Sequence, residues 1–189
     1  MTTAKDVIAE AMTWVNKKYK EGANNDSLFG RWYGANHQAW CAMFVSYVFF
    51  QAGGINLVSA QTKKGFAYCP AGVAWFQKLK QWHSARDAQP GDVVFFDWNH
   101  NGGAEHVGIV VKNDPKKQVV YTIEGNTSSG AAGSQSNGDG VYRRTRPYSF
   151  VLGVGRPAYP APVKAPVAAP VAPVVKVDPA TTAVGKKTL

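Results

Sequence analysis

Two cysteines in 189 residues are too few for a disulfide scaffold, so the chain has to hold itself together through a packed core. No apolar run approaches the roughly 18 residues that a membrane-spanning helix needs, and no membrane insertion is expected. The opening MTTAKDVIAEAMTWVNKKYK lacks a basic segment followed by a continuous apolar one and a small-residue cleavage site, which predicts synthesis in the cytoplasm with no secretory signal. Acidic residues are scarce as well: 12 Asp and Glu stand against 21 Lys and Arg, a formal net charge of +9. Such a surface favours polyanions, and charge alone does not choose among nucleic acid, anionic lipid and an anionic wall polymer. Nucleic-acid binding would call for a recognisable motif, and none is present, so no nucleic-acid partner is expected. What the chain does have is 45% hydrophobic residues, six of them tryptophan, enough for one core and one domain.

Composition shifts sharply near residue 157. Pro157 to Leu189 holds seven of the eleven prolines and a single aromatic, Tyr159, with no period that could cover a core. This predicts a domain over residues 1–156 and a Pro/Ala/Val-rich linker or disordered tail over 157–189. Within the domain, apolar residues at Val7, Ile8, Ala11, Met12, Trp14, Val15 and Tyr19 fit a helix over about Ala4 to Lys20. Asn24 to Asn36 reads as loop. Cys41 to Ala52 is apolar nearly all round and stops at Gly53-Gly54, as a buried helix would. A third helix is expected over Pro70 to Trp82. Beyond Pro90-Gly91 the period changes, and Asp92–Trp98, Glu105–Lys112, Gln118–Glu124 and Ser149–Gly155 have the branched and aromatic make-up of strands. Helices first and strands afterwards predict an α+β fold, N-terminal helices packed on an antiparallel sheet.

One strand pair permits a register. The turn signal from Asn113 to Lys117 joins EHVGIVVK to QVVYTIEGN as a hairpin, and pairing Val107 with Ile123, Ile109 with Tyr121 and Val111 with Val119 gives a consistent apolar face. The opposite face then sets His106 against Glu124 and Gly108 against Thr122, with Asn126 pointing the same way. Cys41 opens the buried helix, where partial positive charge favours a thiolate. A histidine that moves the thiol proton and a carboxylate that orients its ring complete a nucleophilic arrangement, and glycine at 108 would leave room for a substrate backbone. Taken singly, each residue has a plain reading, Cys41 as a packed small side chain foremost; the joint pattern is what points to chemistry. Cys69, in YCPAG, reads as structural. His37, Cys41, Cys69 and His83 are metal-ligating types, yet without C-x-x-C or H-E-x-x-H no metal site and no cofactor are expected. The basic run Tyr142-Arg143-Arg144-Thr145-Arg146 reads as a solvated strand face rather than a binding site.

In order along the chain, WCAMFVSYVF, PGDVVFFDW, EHVGIVV and YTIEGNTS resemble the CHAP family of cysteine, histidine-dependent amidohydrolases and peptidases, especially catalytic domains of bacteriophage endolysins. The resemblance covers roughly residues 5 to 157. It implies a papain-like fold, with Cys41 as nucleophile, His106 as base and acid, Glu124 as the orienting carboxylate and Asn126 in support. Many members carry glutamine directly before the cysteine as an oxyanion donor. Here that position is Trp40, and Gln38 becomes the candidate donor beside the Cys41 N–H. Some members bind calcium through aspartates around the cysteine; FGRWYGANHQAWCAM holds no carboxylate, and no calcium site is expected.

The implied activity is hydrolysis of a peptidoglycan amide, either the muramoyl to L-alanine bond or a peptide bond of the stem or cross-bridge. Trp32, Tyr33, Trp40 and Trp98 are candidates for stacking on substrate across the cleft. Peptidoglycan is the expected partner, with anionic wall polymers in addition, and the protein is expected to be a monomer made in the host cytoplasm that reaches the wall after release. Two alternatives remain at this level. An NlpC/P60-type γ-glutamyl peptidase would share the chemistry, although the aspartate usual beside its cysteine is absent; a non-catalytic wall-binding or phage structural module would share only the fold.

Overall fold

Thr3 opens the first helix with a capping box: its hydroxyl accepts from the Asp6 N–H while the Asp6 carboxylate accepts from the Thr3 N–H. In the computed structural model, which describes residues 1–130 and 132–160, this helix, α1, spans Ala4–Asn16 and buries Val7, Ala11 and Trp14. The segment expected to be loop contains a further helix, α2 (Leu28–Tyr33). Six residues are too few to display an apolar period; Ser27 caps it by accepting from Gly30 N–H, and Gly34 ends it in the left-handed conformation at φ 98°. The buried helix α3 spans Cys41–Gln51, and α4 spans Cys69–Lys78, starting one residue before Pro70 and stopping short of Trp82.

Among the described residues six strands follow: β1 (Trp82–His83), β2 (Val93–Phe96), β3 (His106–Asp114), β4 (Val119–Thr127), β5 (Gly140–Pro147) and β6 (Val151–Gly155). They form one antiparallel sheet in the order β1-β6-β2-β3-β4-β5. The fold is α+β, a single domain with its helices against one face of the sheet. Phe44, Val45 and Val48 of α3 share a core with Phe95, Val107, Ile109 and Ile123. The alternate strand residues Val94, Phe96, Val110, Val120 and Val154 form a smaller cluster on the other face, against which Trp98 and Tyr148 pack. Both faces of β2 are therefore apolar, which is why DVVFFDW shows no alternation.

The β3–β4 hairpin forms, but its register differs from the expected one. Ile109 faces Ile123 and Val110 faces Thr122; past a bulge at Val111, Lys112 faces Tyr121 and Asp114 faces Val119. The extra residue on β3 is invisible to an alternation count, because Val110 and Val111 are both apolar and fit either face. Near His106 the displacement is two residues, an even number, so His106 and Glu124 keep a common face.

Ordered packing runs past the expected boundary at 156. The Tyr159 ring stacks on Phe49 and its hydroxyl donates to the Gly91 carbonyl at 2.7 Å. The expected tail lies, from residue 161 onward, outside the described residues. Among those described, no helix is long and apolar enough to cross a membrane.

Candidate active site

Two helices begin at a cysteine, and both begin without a cap. Whereas α1 and α2 have Thr3 and Ser27 at their starts, Trp40 before α3 and Tyr68 before α4 make no side-chain cap hydrogen bond. Amides of the first turn of α3 are thus left for something other than a cap, and the partial positive charge of each helix end falls on its cysteine. The two ends converge: Cys41 Sγ and Cys69 Sγ lie 3.8 Å apart, both buried and both free thiols.

His106, the first residue of β3, is fully buried beneath Phe96 and Trp98, whose ring centroids lie 5.8 and 6.0 Å from its own. Its Nε2 is 3.0 Å from Glu124 Oε2, leaving Nδ1 without a hydrogen-bond partner among the described residues. Glu124 is held on every side. Thr122 Oγ1 donates to Oε1 at 2.5 Å, and Arg146 Nε donates to Oε1 at 2.9 Å and to Oε2 at 3.2 Å. The Arg146 guanidinium, itself buried, lies 4.9 Å from the Trp98 ring centroid and donates to Gln135 Oε1 and Thr127 Oγ1. Trp98 is anchored in turn by Glu105, whose Oε2 accepts from the Trp98 backbone N–H at 2.8 Å.

These contacts set the charges. A hydrogen bond from the Cys69 thiol, aided by the His106 imidazolium and the Ala42 N–H, holds the Cys41 thiol well below its usual range despite burial. The Cys69 thiol moves the other way, well above the usual range, because it donates to Cys41 and is buried. Burial opposes a charged His106, but Cys41 and Glu124 outweigh it and lift the imidazolium to about 9. Glu124 is likewise penalised by burial, yet Arg146 and His106 bring it down to about 2. The surroundings thus favour a charged Cys41 sulfur and a charged His106 ring, beside a carboxylate backed by a guanidinium. Such an arrangement can supply a nucleophilic sulfur and, beside it, a proton for a leaving amine.

A family model described as CHAP domain matches residues 32–126, half of the chain. The chain belongs to the CHAP family. The stretch of CHAP likeness contains Cys41, His106, Glu124 and Asn126 and stops short of β5, so Arg146 lies beyond it. Among curated proteins the chain is 34% identical over 107 residues to "Probable endopeptidase p60" of Listeria seeligeri, a stretch covering 57% of this chain and 16% of that protein. Proteins of the same name from Listeria welshimeri and Listeria monocytogenes are 33% and 32% identical over 107 residues. The match thus spans about one sixth of the length of these relatives.

Within this CHAP domain several expected residues take other places. Asn126 does not meet His106. At φ 55° in a bulge of β4, it accepts from the Trp40 N–H at 3.0 Å and donates to Asn25 and to the Gly138 carbonyl, tying the residue before Cys41 to the sheet. Trp40 is fully buried, stacked on Phe29 and donating through Nε1 to Glu21, so it cannot line a cleft. Trp32 and Tyr33 belong to an aromatic cluster with Tyr47 and Phe50 further along α3, with Lys64 over the Trp32 ring. Trp98 does adjoin His106. Gln38 is exposed in the loop before Trp40. The space beside Gly108 belongs to Glu124 and not to a substrate: a Cβ there would lie 2.6 Å from Glu124 Cγ.

Sequence reasoning missed Arg146, Thr122 and Cys69. Arg146 has the clearest signal in hindsight, since a solvated strand face gives no account of an arginine whose neighbours Arg143 and Thr145 take the exposed positions. From the charge states follows a reactivity order. Iodoacetamide at neutral pH should alkylate Cys41 well before Cys69, as peptide mass mapping of partially labelled protein would read; labelling of Cys69 first would contradict it.

Proposed function

We propose that this CHAP domain is a cysteine hydrolase that cleaves an amide bond in the peptide part of peptidoglycan. What carries the reading is a cysteine at an uncapped helix start whose thiol interacts with a buried histidine, the other nitrogen of that histidine being fixed by a carboxylate. In this reading the Cys41 thiolate attacks the carbonyl carbon, and the Cys41 backbone N–H, with Gln38 as a second donor, receives the developing oxyanion. His106 then passes its proton from Nδ1 to the departing amine, the C–N bond breaks, and a thioester remains on Cys41. Next His106 takes a proton from water, hydroxide attacks the thioester, and the free acid leaves as the thiolate re-forms. Glu124 and Arg146 never touch substrate; they hold the imidazole in one orientation and keep it protonated.

The relatives are named endopeptidases, which favours a peptide bond of the stem or cross-bridge over the muramoyl to L-alanine amide. Tyr68, exposed immediately before Cys69, is an aromatic candidate for contact with such a peptide. Resemblance to endolysin catalytic domains extends the reading to a lytic enzyme made in a host cytoplasm and acting on the wall after release. The net positive charge supports retention on anionic wall polymers.

Purified cell walls incubated with the protein and analysed by mass spectrometry test this directly. New amino termini on stem or bridge residues, with muramoyl-peptide bonds intact, are expected; free L-alanine amino groups alone would make it an amidase, and no new termini would refute hydrolysis. The pH dependence is a second check. Hydrolysis should fall with a midpoint near 9 on the alkaline side, where His106 loses the proton meant for the leaving amine. Alkylation of Cys41 should persist there, because the thiolate needs no proton.

A further inference from the structure

We propose that Cys41 and Cys69 form a peroxide-responsive thiol pair, a modification site at which hydrogen peroxide closes a reversible Cys41–Cys69 disulfide. The pair is a meeting of two helix starts, not an accident of core packing: each cysteine is the first residue of its helix, the sulfurs stand 3.8 Å apart, and 28 residues separate them along the chain. A disulfide needs the sulfurs at about 2.05 Å, an approach of less than about 2 Å. Rotation of the two cysteine side chains about their Cα–Cβ bonds can supply much of it. No other thiol is present to compete.

The chemistry balances in two steps. The Cys41 thiolate attacks one oxygen of the peroxide, the O–O bond breaks, and the departing hydroxide takes a proton from the His106 imidazolium and leaves as water while sulfur becomes a sulfenic acid. The Cys69 sulfur then attacks the Cys41 sulfur, the S–O bond breaks, and hydroxide departs with the Cys69 proton as a second water. Two thiols lose two electrons and two protons, and one peroxide becomes two waters. The unequal charge states set the order: Cys41 is oxidised first, and once its charge is gone the influence that holds the proton on Cys69 is relieved, so that Cys69 can lose it and attack. Closing the bridge removes the sulfur on which the proposed hydrolysis depends, so the consequence for activity rests on that reading, whereas the bridge itself does not.

The full chain treated with hydrogen peroxide should go from two free thiols to none, lose about 2 Da in intact mass, and yield a linked peptide pair containing Cys41 and Cys69 after digestion. Wall hydrolysis should vanish with it and return on adding dithiothreitol. In Cys69→Ala or Cys69→Ser the same treatment should carry Cys41 on to the sulfinic acid, a gain of about 32 Da that dithiothreitol does not reverse. Cys41 found as sulfinic acid in the unaltered chain while Cys69 stays a thiol would overturn the proposal. So would bridges only between molecules. Should the Cys69 variants fail to fold, the linked peptide from the unaltered chain decides alone. A bridge that forms without loss of hydrolysis would leave the thiol pair standing and defeat the nucleophile reading instead.

Discussion

Cys41→Ala should bring the release of new amino termini from purified walls down to background, a loss on the order of 10⁴-fold or more. No neighbouring group can take over. Cys69 lies against Cys41 but keeps its proton, and Ser46, further along α3, is buried and bonded to the Phe66 backbone. The substitution removes one buried sulfur from a helix start, so its cost to stability should be about 1 kcal/mol, the usual size for a buried point change. Circular dichroism and thermal melting would show the variant folded, which separates loss of chemistry from loss of structure. A wall-binding module would act as before after this change. Undiminished lysis by Cys41→Ala would therefore end the enzymatic reading.

Arg146→Met should destabilise the protein by about 3–5 kcal/mol, the penalty for leaving a buried charge unpaired. Solvent cannot rescue Glu124: its side chain is 0% exposed and that of Arg146 only 6%. For a folded region of this size the melting temperature should fall by roughly 10 °C. Arg146→Lys should recover part of this, since an ammonium restores charge but cannot fork across both carboxylate oxygens as the guanidinium does. The double variant Arg146→Met with Glu124→Gln is the decisive partner. Removing charge from both sides should return most of the stability, because replacing a whole buried pair costs far less than breaking it. Hydrolysis should not return with it, and any residual alkaline limb should move below 9, because His106 no longer has the carboxylate that helps hold its proton. A single variant as stable as the unaltered chain would mean that the ion pair contributes nothing to the fold.

Local pattern and tertiary structure divided the site between them. The buried helix was legible from Cys41 to its stop at Gly53-Gly54, as an apolar stretch closed by two glycines. A shared face for His106 and Glu124 was legible too, and it survived an error of register because strand periodicity is two and the displacement near His106 was even. By contrast, the role of Gly108 was misread through that same displacement. Asn126 lies past a bulge of its strand that no alternation count shows, and the bulge turns its amide toward Trp40.

By itself the sequence determined which segments become helices and strands over most of the domain, and which thiol heads the buried helix. It did so because burial of a face leaves a period of 3.6 or 2 that can be counted. Only the tertiary structure decided that Arg146 clamps Glu124 across 22 residues, that Cys69 meets Cys41 across 28, and that Asn126 secures Trp40 across 86. Those pairings depend on how loops and bulges set one element against another, and a side chain's own neighbours in sequence carry no imprint of that placement.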